Sequence, residues 1–338
     1  MFVVCSMAHD PWNTDYTSQR GPLFWGQRPE FKMCGLGREQ SPINIRRSST
    51  IYQDFPPLAF ELKSPIVHSN IENKGSATAA FPLSDIPILS GGPLGNRKYR
   101  VYNVHLHFGN YSFRAAEHAF DGVRTTGEFH IVTYDSRYPH IKAALGSGRR
   151  GALAVLGVMF EARNVSNIDM GVTNLIELSS NVTYKGDHYM TGIDFSNLVS
   201  EVDMGYYYAY NGSLTTPTCN EVVQWMVIDR IHYVLPETAD LLLELKTGYR
   251  REHSIPIFGN TRPLQPLYGR KVLRSFGPVV TDVHDQGEEI VYSSADLVGK
   301  CFVLENRHLP IDFDPIIQMK ISHVGNVVHV LGSSCISS

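Results

Sequence analysis

The chain has 338 residues, 43% of them hydrophobic and 19% charged, with a formal net charge of −3. With neither a basic surplus nor a basic run, it does not read as a nucleic-acid binder. No run of about 18 apolar residues is present, which excludes a membrane-spanning helix of the usual kind.

The N-terminal residues Phe2, Val3 and Val4 are apolar, but they lack a basic flank and a full apolar stretch. No intact signal peptide is visible, so either the chain is cytosolic or this N-terminus is incomplete. Strand-like runs follow at 86–89, 99–108, 128–134, 153–160, 222–228 and 272–273, rich in β-branched and aromatic residues and mostly separated by Gly, Asn, Pro or Ser. Pro87 confines the first of them to a sheet edge. Helices are predicted over 236–246, where Ala239, Leu242, Leu243 and Leu245 follow an acidic first turn, and over 174–178. After Phe276 the pattern becomes irregular, with strand-like pieces at 290–292 and 327–331. The expected organisation is an N-terminal segment (1–23), one mainly β domain (24–276) and a C-terminal tail (277–338).

Five cysteines, at 5, 34, 219, 301 and 335, include no Cys-x-x-Cys pair, which argues against a cysteine-based zinc site. Asn-x-Ser/Thr triplets begin at Asn110, Asn164, Asn181 and Asn211. Together with widely spaced cysteines they favour an oxidising compartment.

The most informative segment is Val104-His105-Leu106-His107-Phe108. Side chains alternate across a strand, so His105 and His107 share a face and Leu106 takes the other. A third imidazole, His130, lies in the strand-like run 127–132. Three histidines leave one position of a zinc tetrahedron open, which is the catalytic rather than the structural arrangement. Zinc lowers the pKa of its water to about 7. A lone strand histidine is more often a packed or surface residue. Here Glu128 and Asn103, each two residues before a candidate ligand on its own face, are placed to orient the imidazoles.

At this point the sequence resembles an α-class carbonic anhydrase of the extracellular type. The motifs run in order: Gln40-Ser41-Pro42-Ile43-Asn44-Ile45, Leu89-Ser90-Gly91-Gly92-Pro93-Leu94, the His105/His107 strand, Ala116-Glu117-His118-Ala119-Phe120-Asp121-Gly122, and Glu128-Phe129-His130. Ala154-Val155-Leu156-Gly157, Gly212-Ser213-Leu214-Thr215-Thr216-Pro217 and Arg262-Pro263-Leu264-Gln265-Pro266-Leu267 complete the series. The resemblance implies a twisted, mostly antiparallel central sheet with few peripheral helices. It also implies a Zn2+ ion on His105, His107 and His130, and reversible hydration of carbon dioxide to bicarbonate, with sulfonamides as inhibitors. Thr215 and Glu117 would orient the nucleophile. Val132, Val155, Leu214, Thr216, Val223 and Trp225 would line the substrate pocket, although each apolar one taken alone reads as ordinary core. His118 would be structural. Cys34 and Cys219 match a disulfide of extracellular members, which points to secretion. Ser76 holds the position where fast members carry a proton-shuttling histidine.

Some positions depart from the family pattern. Asn103 stands where Gln is common, Phe108 where Trp is common, and Asn260-Thr261 precedes Arg262 where Trp is usual. Thr218 replaces a proline, and a cis bond before a non-proline residue costs about 2.5–4 kcal/mol, so the 217–218 bond is expected to be trans. Phe24-Trp25-Gly26 and Phe108 are similar to the family's catalytically silent members, so a weak or silent extracellular binding domain is the alternative reading.

Overall fold

The computed structural model describes residues 21–277 apart from 110–112, 201, 253 and 258. Beyond them it describes the strand segments Val280–Val283, Glu289–Tyr292, Phe302–Glu305, Lys320–Val324 and Val327–Leu331. Cys5, Cys301, Cys335 and the Asn110 triplet lie outside the described residues.

A 12-stranded mixed sheet dominates, with few helices around it. Its path runs His188–Asp194, Ile66–Asn73, Thr78–Pro82, Tyr99–Phe108, Gly127–Asp135, Leu153–Ala162, Val223–Val234, Tyr207–Gly212, Leu273–Arg274, Ile51–Tyr52. Most neighbours are antiparallel; Leu153–Ala162 with Val223–Val234 and Leu273–Arg274 with Ile51–Tyr52 are parallel. The expected mainly β architecture is the one observed.

The period of two decides which side chains go where. Val104, Leu106 and Phe108 from one central strand, and Phe129 and Ile131 from the next, enter a core shared with Val172, Leu175 and Ile176 of the helix Met170–Ser179. Val132, Val155, Val223, Trp225 and Val227 face the other way and pack with Ile43, Ile45, Tyr208 and Tyr210. The two central strands therefore place their histidines on the face opposite the first core. The register sets His105 directly against His130, and His107 against Glu128.

Two helix expectations change in extent. The 174–178 prediction is part of the longer Met170–Ser179, and the 236–246 prediction shortens to Pro236–Asp240 followed by a tighter turn over Leu241–Glu244. Leu242 and Leu245 are fully buried, so packing of these two side chains, rather than continuation of the helical stripe, sets the chain's path. The Pro217–Thr218 bond is cis, as is Ser41–Pro42, which corrects the trans expectation. Around it, Leu214 N–H donates to the Asn220 carbonyl and Cys219 N–H to the Thr216 carbonyl within the loop, and Gln40 Nε2 donates to the Cys219 carbonyl from 179 residues away. The same loop carries the Cys34–Cys219 disulfide, with Cα atoms 5.1 Å apart.

Candidate metal centre

Ligand-capable nitrogens of His105, His107 and His130 lie within 4.8 Å of one another. His107 and His130 are buried, and His105 is half-buried. Each ring has one nitrogen engaged by a protein acceptor. His105 Nδ1 contacts Asn103 Oδ1 at 3.1 Å, His107 Nδ1 contacts the Asn260 carbonyl at 2.7 Å, and His130 Nε2 contacts Glu128 Oε1 at 2.8 Å. A carbonyl, an amide oxygen or a carboxylate can only accept, so these ring nitrogens are the N–H donors. The lone pairs are left on Nε2 of His105, Nε2 of His107 and Nδ1 of His130. Neutral imidazoles with their tautomers fixed in this way are the donor set a borderline-soft divalent ion takes.

Two buried atoms at the trio lack a protein partner. His107 Nε2 and Glu117 Oε2 have no hydrogen-bond partner, and they stand 3.5 Å apart. Unpaired buried polar atoms are costly, and a cation bound by His107 satisfies the first directly. The residues fit a divalent metal ion.

The surrounding groups hold these rings in place. Glu128 is fully buried; Oε1 also meets His118 Nδ1 at 2.8 Å, and Oε2 accepts the His118 backbone N–H at 2.7 Å. Burial alone would raise the Glu128 carboxyl, but the imidazoles of His118 and His130 outweigh it and hold it well below the ordinary value. His118 Nε2 lies 2.7 Å from the Tyr210 hydroxyl, so both its ring nitrogens are engaged by protein. Gly157, opposite His130 in register, leaves room for this carboxylate, since a Cβ there would come within 2.5 Å of Glu128 Oε1.

Glu117 Oε1 accepts the Arg262 backbone N–H at 3.0 Å. Thr215, on the loop after Tyr207–Gly212, makes no described hydrogen bond to Glu117. Val132, Val155, Val223 and Trp225 form part of the second core cluster with Leu214 packed against it, and Thr216 lies half-buried on the same loop as Thr215. The Trp225 ring stands 4.9 Å from His130. Ser76 is half-buried, and its carbonyl accepts from Asn260 Nδ2 at 2.9 Å.

Sequence reading missed Asn260. Its carbonyl orients His107, its Oδ1 accepts the Phe108 N–H, and its Nδ2 donates to the Leu106 and Ser76 carbonyls. The only local signal was its place beside the Arg262-Pro263 motif.

Burial, then repulsion from the neighbouring imidazoles, holds His105 well below 6.5; burial, with His130 adding to it, lowers His107. Both bind a proton less readily folded than unfolded. As pH falls through the unfolded value of 6.5, the unfolded chain takes up more protons and gains stability relative to the fold. The metal-free protein should therefore show a melting temperature that declines below about pH 6.5. Replacing His105 by Asn should flatten that decline, and a slope unchanged by the substitution would assign it to other groups.

The model of the eukaryotic-type carbonic anhydrase family matches residues 20–276. Carbonic anhydrase 1 of Mus musculus is 32% identical over 276 residues, spanning 80% of this chain and 100% of that protein. A putative carbonic anhydrase-like protein 2 of Caenorhabditis elegans is 30% identical over 269 residues, spanning 75% of this chain and 76% of that protein. With the family matched over three quarters of its length and three imidazoles gathered on one sheet face, the chain belongs to the eukaryotic-type carbonic anhydrase family.

Proposed function

We propose that this protein binds one zinc ion through His105, His107 and His130 and catalyses the reversible hydration of carbon dioxide to bicarbonate and a proton. The observation that carries the reading is the trio of imidazoles, each with one nitrogen held by a protein acceptor and one left free. Zinc at that point supplies a hydroxide nucleophile near neutral pH. In this reading Thr215 holds the hydrogen of the attacking oxygen and passes its own to Glu117 Oε2, which has no other partner. That fixes which lone pair faces the substrate, an orientation effect. Val132, Val155, Leu214, Val223 and Trp225 offer carbon dioxide an apolar wall. The backbone N–H of Thr215 and the side chain of Thr216 hold bicarbonate or a sulfonamide. The test is carbon dioxide hydration by protein of known zinc content, with and without a sulfonamide. Stoichiometric zinc with no hydration would reject the enzyme.

Residues 24–276 constitute the catalytic domain in this proposal. Secretion is supported by the Cys34–Cys219 bond, since disulfides persist in oxidising compartments. Exposed Asn164, Asn181 and Asn211 are available as glycan acceptors. A second reading, a weak or silent binding domain, is favoured by the missing Thr215–Glu117 hydrogen bond and by the likeness to a carbonic anhydrase-like protein.

Two outcomes check the supporting roles. Glu128→Ala should weaken zinc affinity about 10–100-fold, the usual effect of losing a group that orients a ligand; unchanged affinity would mean that His130 is held by something else. Ser76 cannot hold a proton at neutral pH, so proton release should limit the maximal rate. Ser76→His should raise that rate by about tenfold or more in weak buffer, within the range of positioned proton transfer. Small imidazole buffers should do the same for the unaltered protein, and a fast rate independent of buffer would assign the shuttle to another group.

A further inference from the structure

A cavity of about 440 Å³, lined by none of the three histidines, lies beside the short strand Ile51–Tyr52. Its volume is in the range of small-molecule sites. Ile51, Leu264 and Leu267 supply an apolar wall, and Arg46, Arg270 and Lys271 supply three cations. No carboxylate lines it, although the chain as a whole carries a net charge of −3.

The three cations differ in what occupies them. Arg270 is spent on the fold: its guanidinium donates to the carbonyls of Leu267, Asn211, Gln40 and Pro266 at 2.8–3.0 Å. The side chains of Arg46 and Lys271 are exposed and make no hydrogen bond or ion pair among the described residues. Ile51 and Leu264 are 45% and 37% exposed, so apolar surface and free positive charge stand together at one mouth. Such a combination recognises a molecule with an anionic head and an apolar body, because burying the body removes apolar surface from water while the head meets charged donors.

We propose that this cavity binds a small anionic amphiphile, with Arg46 and Lys271 on the head group and Ile51, Leu264 and Leu267 on the body. None of its lining residues belongs to the metal centre, so the proposal does not rest on the activity proposed there.

Decanoate and decyl phosphate, used below their micellar concentrations, are suitable probes, with decyltrimethylammonium and inorganic phosphate as controls. Calorimetry and chemical-shift mapping on the full chain should show both anionic amphiphiles binding at the cavity residues. The cationic amphiphile should not bind there, and inorganic phosphate should bind at least tenfold more weakly. The double substitution Arg46→Ala with Lys271→Ala should weaken decanoate binding about tenfold and leave zinc content unchanged. Leu264→Ser should weaken decanoate more than inorganic phosphate. Absence of binding by both anionic probes, equal binding of the cationic one, or undiminished binding by the double variant would each overturn the proposal. Anions captured at the metal centre instead would leave the cavity shifts silent, which also overturns it.

Discussion

Alanine at His107 is expected to reduce zinc affinity by more than about 100-fold, beyond the range for losing a group that merely orients a ligand, and to abolish carbon dioxide hydration. His107 is buried and tied to the chain at one ring nitrogen only. It is 2% exposed, its Nδ1 is held by the Asn260 carbonyl at 2.7 Å, and its Nε2 has no hydrogen-bond partner. Removing the ring leaves two imidazoles, which cannot complete a three-histidine catalytic site, and strands the Asn260 carbonyl. Competition against a chelator of known affinity measures the loss, and circular dichroism checks that the fold survives. Retained affinity would move the metal to the neighbouring His118, Glu128 and His130 group, whose ligand atoms also lie within 4.8 Å of one another. His118→Ala would then decide between the two positions, since it removes a ligand of the second group alone.

The second large effect belongs to Arg262, which is 2% exposed. Its guanidinium donates to Gln40 Oε1, the Ser41 carbonyl and the Cys34 carbonyl at 2.8–2.9 Å, while its backbone N–H reaches Glu117. Burial lowers its pKa to about 10, against which the Glu117 carboxylate acts. Arg262→Met keeps the stem but leaves three acceptors without their donor, and each such group costs about 1–3 kcal/mol. The expected destabilisation is about 3–5 kcal/mol, read as a fall in the denaturant midpoint at unchanged slope. Lysine should rescue only part of it, because a single ammonium cannot reproduce the planar fork. A loss below about 1 kcal/mol would mean that water reaches the freed carbonyls. Because Arg262 bridges Cys34, the Gln40-Ser41 motif and Glu117, hydration should fall together with stability.

Local periodicity, legible in the sequence by itself, determined the two faces of the central strands. Alternation along 99–108 was enough to put His105 and His107 on one face and Val104, Leu106 and Phe108 on the other. The same rule placed Glu128 on the face of His130 and Asn103 on the face of His105, and the short Asn103 amide does reach its imidazole. Ordered motifs supplied the family, the fold and the Cys34–Cys219 pairing.

Tertiary structure alone decided which distant groups meet. The strands Ile66–Asn73, Thr78–Pro82, His188–Asp194 and Tyr207–Gly212 were not read from sequence. Two buried polar residues break the apolar pattern of the first of these: Ser69, which donates to the Val67 carbonyl two residues back, and Asn73, whose amide donates to the distant Val182, Thr183 and Lys246 carbonyls. Nothing local announces that Leu153–Ala162 pairs in parallel with Val223–Val234, because strand period reports a face and not a partner. The tautomer of His107 depends on a carbonyl 153 residues away, and the free oxygen of Glu117 depends on the Arg262 backbone 145 residues away. The shortened helix after Pro236 also depends on distant packing. There a local helical preference yields to the burial of Leu242 and Leu245 in the core.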